Sequence, residues 1–311
     1  MALYAIDKPL NRTSHDVVDI VRKHLNTRRV GHTGTLDPLA TGVLILAVDN
    51  STKLVPFLSA EDKEYLAWVS FGATTPTLDA EGPILEEVAR RPSRREVEAA
   101  LGGFMALTLQ IPPAYSAVKV GGVKAYEAAR KGEALELLPR PVKYLEATLL
   151  AYDPAPLAHP IAPSATGWHL AGSRKAQLPR SLGAYPTAVI RLVVGSGTYV
   201  RAFARDLGEQ LGSKAFLSGL VRTRVGKIGL EQAQKAQTLD VKKELDVLEA
   251  LSCPSVELSH TEVKRVMEGV PLPIPAKGLV ALLGPKRKLV AVAEGDGFKL
   301  KIKRVFKEYS H

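Results

Sequence analysis

Only one cysteine, Cys253, occurs in 311 residues, so no internal disulfide framework can form and no cysteine cluster is available for structural zinc. Its expected role is packing. No apolar run reaches the roughly 18 residues of a membrane helix, and the opening MALYAIDKPLNRT lacks a secretion signal's long apolar region. A soluble, cytoplasmic protein is expected. A dinucleotide fingerprint, a phosphate loop ending in GK[ST], and an HExxH zinc pair are also missing. No repeat of 20 to 50 residues is visible. The sequence therefore calls for no metal and no cofactor.

Charge is what the chain has in excess. The formal net charge is +10, a field that attracts phosphate backbones. Residues 261–311 hold eleven Lys or Arg against five Asp or Glu, so the end of the chain is disproportionately basic. Within it, FKLKIKRVF at 298–306 alternates Phe298, Leu300 and Ile302 with Lys299, Lys301 and Lys303, the period of a strand with one buried and one basic face. With 46% hydrophobic residues the chain can bury a sizeable core, and its length suggests a large domain followed by a small one.

Elements are legible along the chain. Ser14 precedes Val17, Val18, Val21 and Leu25 at helical spacing, and Ser93 with Glu96 forms a capping box before Val97, Ala100 and Leu101, with Gly102 and Gly103 ending that helix. Tyr65, Ala67, Val69 and Phe71 alternate as in a strand. AVIRLVV at 188–194 reads as another, running into GSGT, where Thr198 is expected to cap a helix that ends at Gly212. The apolar stripe of that helix leaves Arg201 and Arg205 off its face. Residues 153–187 carry six prolines and three glycines without sustained periodicity, the composition of a long loop or insertion. A second break near VELSHTEVKRVMEGVPLPIPAKG marks the junction to short C-terminal strands. Strands and helices without regular βαβ alternation indicate an α+β fold.

The most informative stretch is GHTGTLDPLATG at 31–42. Pro38 fixes its own φ and holds Asp37 toward extended geometry, while the glycines allow bends or close approach. The loop presents one carboxylate beside the apolar run Val43–Val48, which makes Asp37 the first candidate for chemistry. A plain turn has the same grammar.

Other segments occur with it in a fixed order: DKP at 7–9, KEY at 63–65, LDAEG at 78–82, QIPPAYSAVKVGGVKAYEAARKG at 110–132, GSGTYVRAFARDLGEQLG at 195–212 and LVRTRVG at 220–226. Together with the Asp37 loop they resemble the TruB-type tRNA pseudouridine synthases over roughly the first three quarters of the chain. The resemblance implies a pseudouridine synthase fold, with a mixed, mainly antiparallel central sheet flanked by helices. Residues 1–250 would be the catalytic domain, with an RNA-clamping thumb at 110–145 containing a Gly121-Gly122 hinge. Residues 251–311 resemble the PUA class of RNA-binding modules.

The same resemblance implies the chemistry. Uridine becomes pseudouridine when the bond from base N1 to the sugar breaks, the base rotates, and C5 takes N1's place, so no redox cofactor is needed. Asp37 matches the family's catalytic Asp, and Arg201 the arginine whose fork can hold that carboxylate ionised and oriented. Tyr65 would stack on the target base and take a proton, and Tyr199 and Leu220 would line the uridine pocket. His32 would lie against the RNA loop from which the uridine is flipped. Lys119, Lys124, Arg222 and Arg224 are candidate phosphate contacts. The implied substrate is the uridine at position 55 in the T loop of tRNA, bound through the T arm by a monomer without membrane or obligate protein partner. The alternatives are a synthase for another RNA, alone or in a guide-RNA particle, and a non-catalytic chaperone that folds tRNA.

Overall fold

Period-two runs rich in β-branched and aromatic residues lay down the frame. The computed structural model describes residues 1–133, 135–154, 161–164, 167–170 and 185–306. Its central sheet has eight strands, and the main path runs Ala2–Lys8, Ala40–Val48, Ala215–Val225, Lys63–Phe71, Thr187–Val194, Tyr144–Asp153. Every pairing on that path is antiparallel except that of Ala215–Val225 with Ala40–Val48. Val30–His32 and Ile228–Gly229 complete the sheet. The expected α+β class with a mixed, mainly antiparallel sheet is what the chain adopts.

Ala40–Val48 is buried at all nine positions, as a strand covered on both faces must be. One face packs Tyr65, Ala67, Val69 and Phe71 with Leu217 and Leu220 against the helices Arg94–Leu101 and Val200–Gln210. Leu3, Ala5, Val43 and Ile45 instead share a second core with Leu251, Ala281, Leu283, Val292 and Phe306, so the C-terminal β-rich region packs onto the sheet. That region is a four-stranded sheet, Ser255–Glu257, Lys277–Leu283, Leu289–Asp296 and Leu300–Val305, with the helix His260–Met267 beside it. No helix among the described residues is long and apolar enough to cross a membrane.

Local expectations hold where the deciding atoms are neighbours in sequence. Ser93 and Glu96 form the capping box, and Gly212 takes φ +64° beyond the helix it ends. Four details differ. The first helix is capped by Thr13, boxed with Asp16, because the Ser14 hydroxyl is already committed to the Leu36 backbone. Thr198 makes no cap bond; Tyr199 is the N-cap residue, and the Gln110 carboxamide serves its backbone instead. Phe298 stands outside its expected strand, 84% exposed at a turn where the Asp296 carboxylate accepts from the Phe298 and Lys299 amides. Within 153–187 a two-stranded hairpin, Ile161–Ser164 with Gly167–Leu170, appears where no regular element was expected; most of that segment lies outside the described residues.

Candidate active site

The Asp37 loop leaves the sheet after Val30–His32 and returns as Ala40–Val48. Those strands pair with each other, His32 opposite Leu46, while Ala40 and Gly42 pair with Leu220 and Arg222. The turn is tied internally by Ala40 N–H to the Asp37 carbonyl, 3.0 Å, and externally by Asn11 N–H to the Pro38 carbonyl, 2.9 Å. Ser14 bonds both Leu36 backbone groups, at 2.8 and 3.1 Å. From below, the wholly buried Lys8 ammonium donates to the carbonyls of Pro9, Arg12 and Pro38. Burial pushes the Lys8 pKa down to about 8, against the opposing pull of Glu81 and Asp37.

Arg201 meets Asp37 with two nitrogens. Nε lies 2.9 Å from Oδ2 and Nη2 donates to Oδ1 at 3.3 Å, the two-point geometry that fixes a carboxylate's orientation as well as its charge. Two of the three remaining N–H groups are also used: Nη1 to the Thr77 carbonyl at 2.8 Å and Nη2 to the Tyr115 carbonyl at 2.9 Å. Arg201 is 8% exposed, so the guanidinium is desolvated, whereas the Asp37 side chain keeps 38% of its surface open. One side of the carboxylate is held and the other is free to meet a substrate.

Asp79 approaches the same guanidinium from behind, 3.6 Å from Nε and 2% exposed. It accepts from the Thr77 hydroxyl at 2.6 Å and the Glu81 amide at 3.1 Å. Burial nevertheless raises its pKa. Glu81, an exposed residue overall, has its carboxyl pushed up to about 7, first by desolvation and then by Asp79 and Asp37. These acids come from the LDAEG segment, which carried no assigned role in the sequence reading; Lys8 and Gln110 were likewise overlooked. The signal was available, since each lies inside a segment that carries the family resemblance, but its chemistry shows only once the segments are brought together.

Tyr65 and Leu220 stand in the apolar cluster that includes Leu36, Ala40 and Val200, bordering the Asp37 loop. Tyr199 is half-buried at the start of the Arg201 helix. Gln110 clamps its backbone from both sides: the amide of Tyr199 donates to Oε1 at 2.9 Å, and Nε2 donates to the Tyr199 carbonyl at 3.2 Å. His32 is half-buried, with burial and then Arg222 lowering its pKa, which favours the neutral imidazole; its Nδ1 is buried with no hydrogen-bond partner.

The expected basic contacts divide. Lys119 and Lys124 face each other across a hairpin whose turn residues, Gly121 and Gly122, both have positive φ. That is the backbone of a tight two-residue turn at the position of the expected hinge. Lys119 is exposed, and Lys124 bonds the Tyr126 hydroxyl at 3.1 Å. Arg224 is engaged with Glu64 and the Gly226 carbonyl. Arg222 is not a surface phosphate contact: it is 1% exposed, with its guanidinium donating to backbone carbonyls inside the fold.

Residues 22–165 match the family model described as TruB family pseudouridylate synthase, N-terminal domain. A relative from Thermus thermophilus, tRNA pseudouridine synthase B, is 68% identical over 308 residues, covering 98% of this chain and 99% of that protein. The chain belongs to the TruB family of pseudouridylate synthases. It is an isomerase. A Deinococcus radiodurans relative of the same name is 46% identical across 98% of this chain and its own full length. Among solved structures, a chain of a Cbf5-Nop10-Gar1 complex superposes with a TM-score of 0.69 at 22% identity, over 98% of this chain and 84% of that one, a likeness of fold. The candidate site in this TruB-family chain is a carboxylate clamped by a desolvated guanidinium at the margin of an apolar, tyrosine-bearing cluster.

Proposed function

We propose that this enzyme converts uridine 55 in the T loop of tRNA to pseudouridine, with Asp37 as the nucleophile and the target base flipped onto Tyr65 and Leu220. The observation that carries the reading is the two-nitrogen grip of Arg201 on Asp37 beside that apolar cluster. The names of the Thermus and Deinococcus relatives supply the RNA class.

The proposed route has three steps. Asp37 attacks the sugar C1′ as the N1 bond breaks, the uracil anion turns in place on the Tyr65 ring, and C5 displaces the carboxylate. C5 then loses its proton to the Tyr65 oxygen as the phenol passes its own proton to solvent, and N1 takes one from solvent, so atoms and charge balance. Arg201 orients the nucleophile and offsets its charge in a site from which the RNA expels water. His32 fills the space from which the base leaves. Lys119 and Lys124, on the 110–145 segment, meet backbone phosphate. Residues 1–250 act as the catalytic domain, and 251–311 as a PUA-like RNA-binding unit, in a cytoplasmic monomer.

The test is tritium release from tRNA labelled at uridine C5, with product position read by mass spectrometry. The parent protein should modify position 55 in intact tRNA and in an isolated T-arm hairpin, and Asp37→Asn should abolish turnover. Undiminished turnover by Asp37→Asn would remove the nucleophile assignment, and a different modified uridine would remove the site assignment. A parent that binds and refolds tRNA without isomerising it would be a chaperone.

A further inference from the structure

Arg222 sits in the middle of one row of the sheet, paired with Gly42 on one side and Tyr65 on the other. Its side chain reaches back under the Asp37 loop, where Nε donates to the Val43 carbonyl at 2.7 Å and Nη2 to the Gly34 carbonyl at 3.0 Å. Gly34 lies on the limb entering the loop and Val43 on the limb leaving it, so one planar group spans both. The exit is also pressed against the Arg222 backbone: a Cβ on Gly42, whose φ is +98°, would come 2.2 Å from the Arg222 carbonyl oxygen.

Packing alone does not account for this residue. Among the described residues no carboxylate forms an ion pair with Arg222, although it is almost wholly buried. A buried cation with only carbonyl partners carries a desolvation cost that an apolar side chain of similar size would avoid. What an apolar side chain cannot do is hold two carbonyls at fixed positions from a rigid planar fork.

We propose that Arg222 is a positioning residue for the isomerisation: it straps both limbs of the Asp37 loop to the strand carrying Leu220, and thereby sets the carboxylate's place relative to Tyr65. This rests on the reading of Asp37 as the reacting group. Because a misplacement of about 1 Å can cost roughly 100-fold in rate, the strap should be felt in the chemical step and not in RNA capture.

Single-turnover rates at saturating tRNA, tRNA dissociation constants and melting temperatures would be measured for Arg222→Met, Arg222→Gln and Arg222→Lys, with rates taken well below each melting temperature. Arg222→Met should lose about 100-fold in the saturated rate while its tRNA dissociation constant stays close to the parent's. Arg222→Lys and Arg222→Gln, which each keep a donor, should recover part of the loss and carry the same readout if the Met variant does not fold. A raised dissociation constant with the parent rate at saturation would make Arg222 an RNA contact, and a lowered melting temperature with the parent rate would make it only structural. Either result overturns the proposal. If Asp37→Asn stays active, the reading of the site fails; if it is dead while the Arg222 variants run at the parent rate, only the strap fails.

Discussion

Replacing Arg201 by Met would strip the cation from a site containing one buried and one half-exposed acid. Asp79 would be left at 2% exposure, and the carbonyls of Thr77 and Tyr115 would lose their guanidinium donor. Breaking a buried ion pair from one side costs about 3–5 kcal/mol. A stranded acceptor costs about 1–3 kcal/mol, and the contributions overlap because one group makes them all. Asp37, 38% exposed, can be rehydrated, so its share stays below about 1 kcal/mol. The expected loss of folding free energy is about 4 kcal/mol. Adding Asp79→Asn removes the stranded charge and should return about 1–2 kcal/mol of it. The saturated turnover rate should remain at least about 100-fold down in both variants, because neither holds Asp37. Denaturant unfolding and single-turnover tritium release measure the two quantities. The pH dependence has a definite sign. Burial already raises the Asp79 pKa and loss of Arg201 raises it further, so folding prefers the protonated acid. The Arg201→Met penalty should therefore shrink as pH falls from neutrality into the carboxylate range. A single-variant cost under about 1 kcal/mol, or full activity in the double variant, would refute this account of the clamp.

Lys63 is buried, and burial followed by Arg222 lowers its pKa from 10.5 to about 8. The folded protein therefore releases this proton before the unfolded chain does. Between those values the parent should gain stability relative to Lys63→Met, by up to about 1.4 kcal/mol per pH unit, and a flat difference in unfolding free energy would contradict the assignment. Gly42→Ala forces a methyl onto the Arg222 carbonyl at positive φ; a loss of about 3 kcal/mol or more is expected in denaturant titrations, and a parent-like midpoint would show that the loop can yield. Gln110→Ala removes both bonds to the Tyr199 backbone and should cost about 2 kcal/mol, with a fall in turnover because Tyr199 starts the helix carrying Arg201. Phe298→Ala should move stability by less than about 0.5 kcal/mol, since that ring is exposed.

Which features could be read in advance depended on how far apart the deciding atoms lie. The Ser93–Glu96 box closes within four residues, and the strand holding Tyr65 shows its core face by alternation, although residues 67–71 are buried on both faces. Thr13 and Ser14 are both competent caps; the choice between them was made by Leu36, which takes the serine. The charge of LVRTRVG pointed to solvent, yet the sheet encloses Arg222 and leaves Arg224 partly exposed beside Glu64. Phe298 continued an apolar alternation, but Gly297, at φ +101°, turns the chain before the strand begins at Leu300.

By itself the sequence determined the elements, the apolar faces, the basic excess and the single rigid acidic loop, because each follows from side chains within a turn or two of one another. Family resemblance named Arg201 as the cation for Asp37; tertiary structure decided how that cation is held, which acid stands behind it, and which arginine disappears beneath the loop. Asp37 and Arg201 are 164 residues apart, and Arg222 and Gly34 are 188 apart. At such separations periodicity carries no signal, and only the sheet's strand order and register bring the charges together.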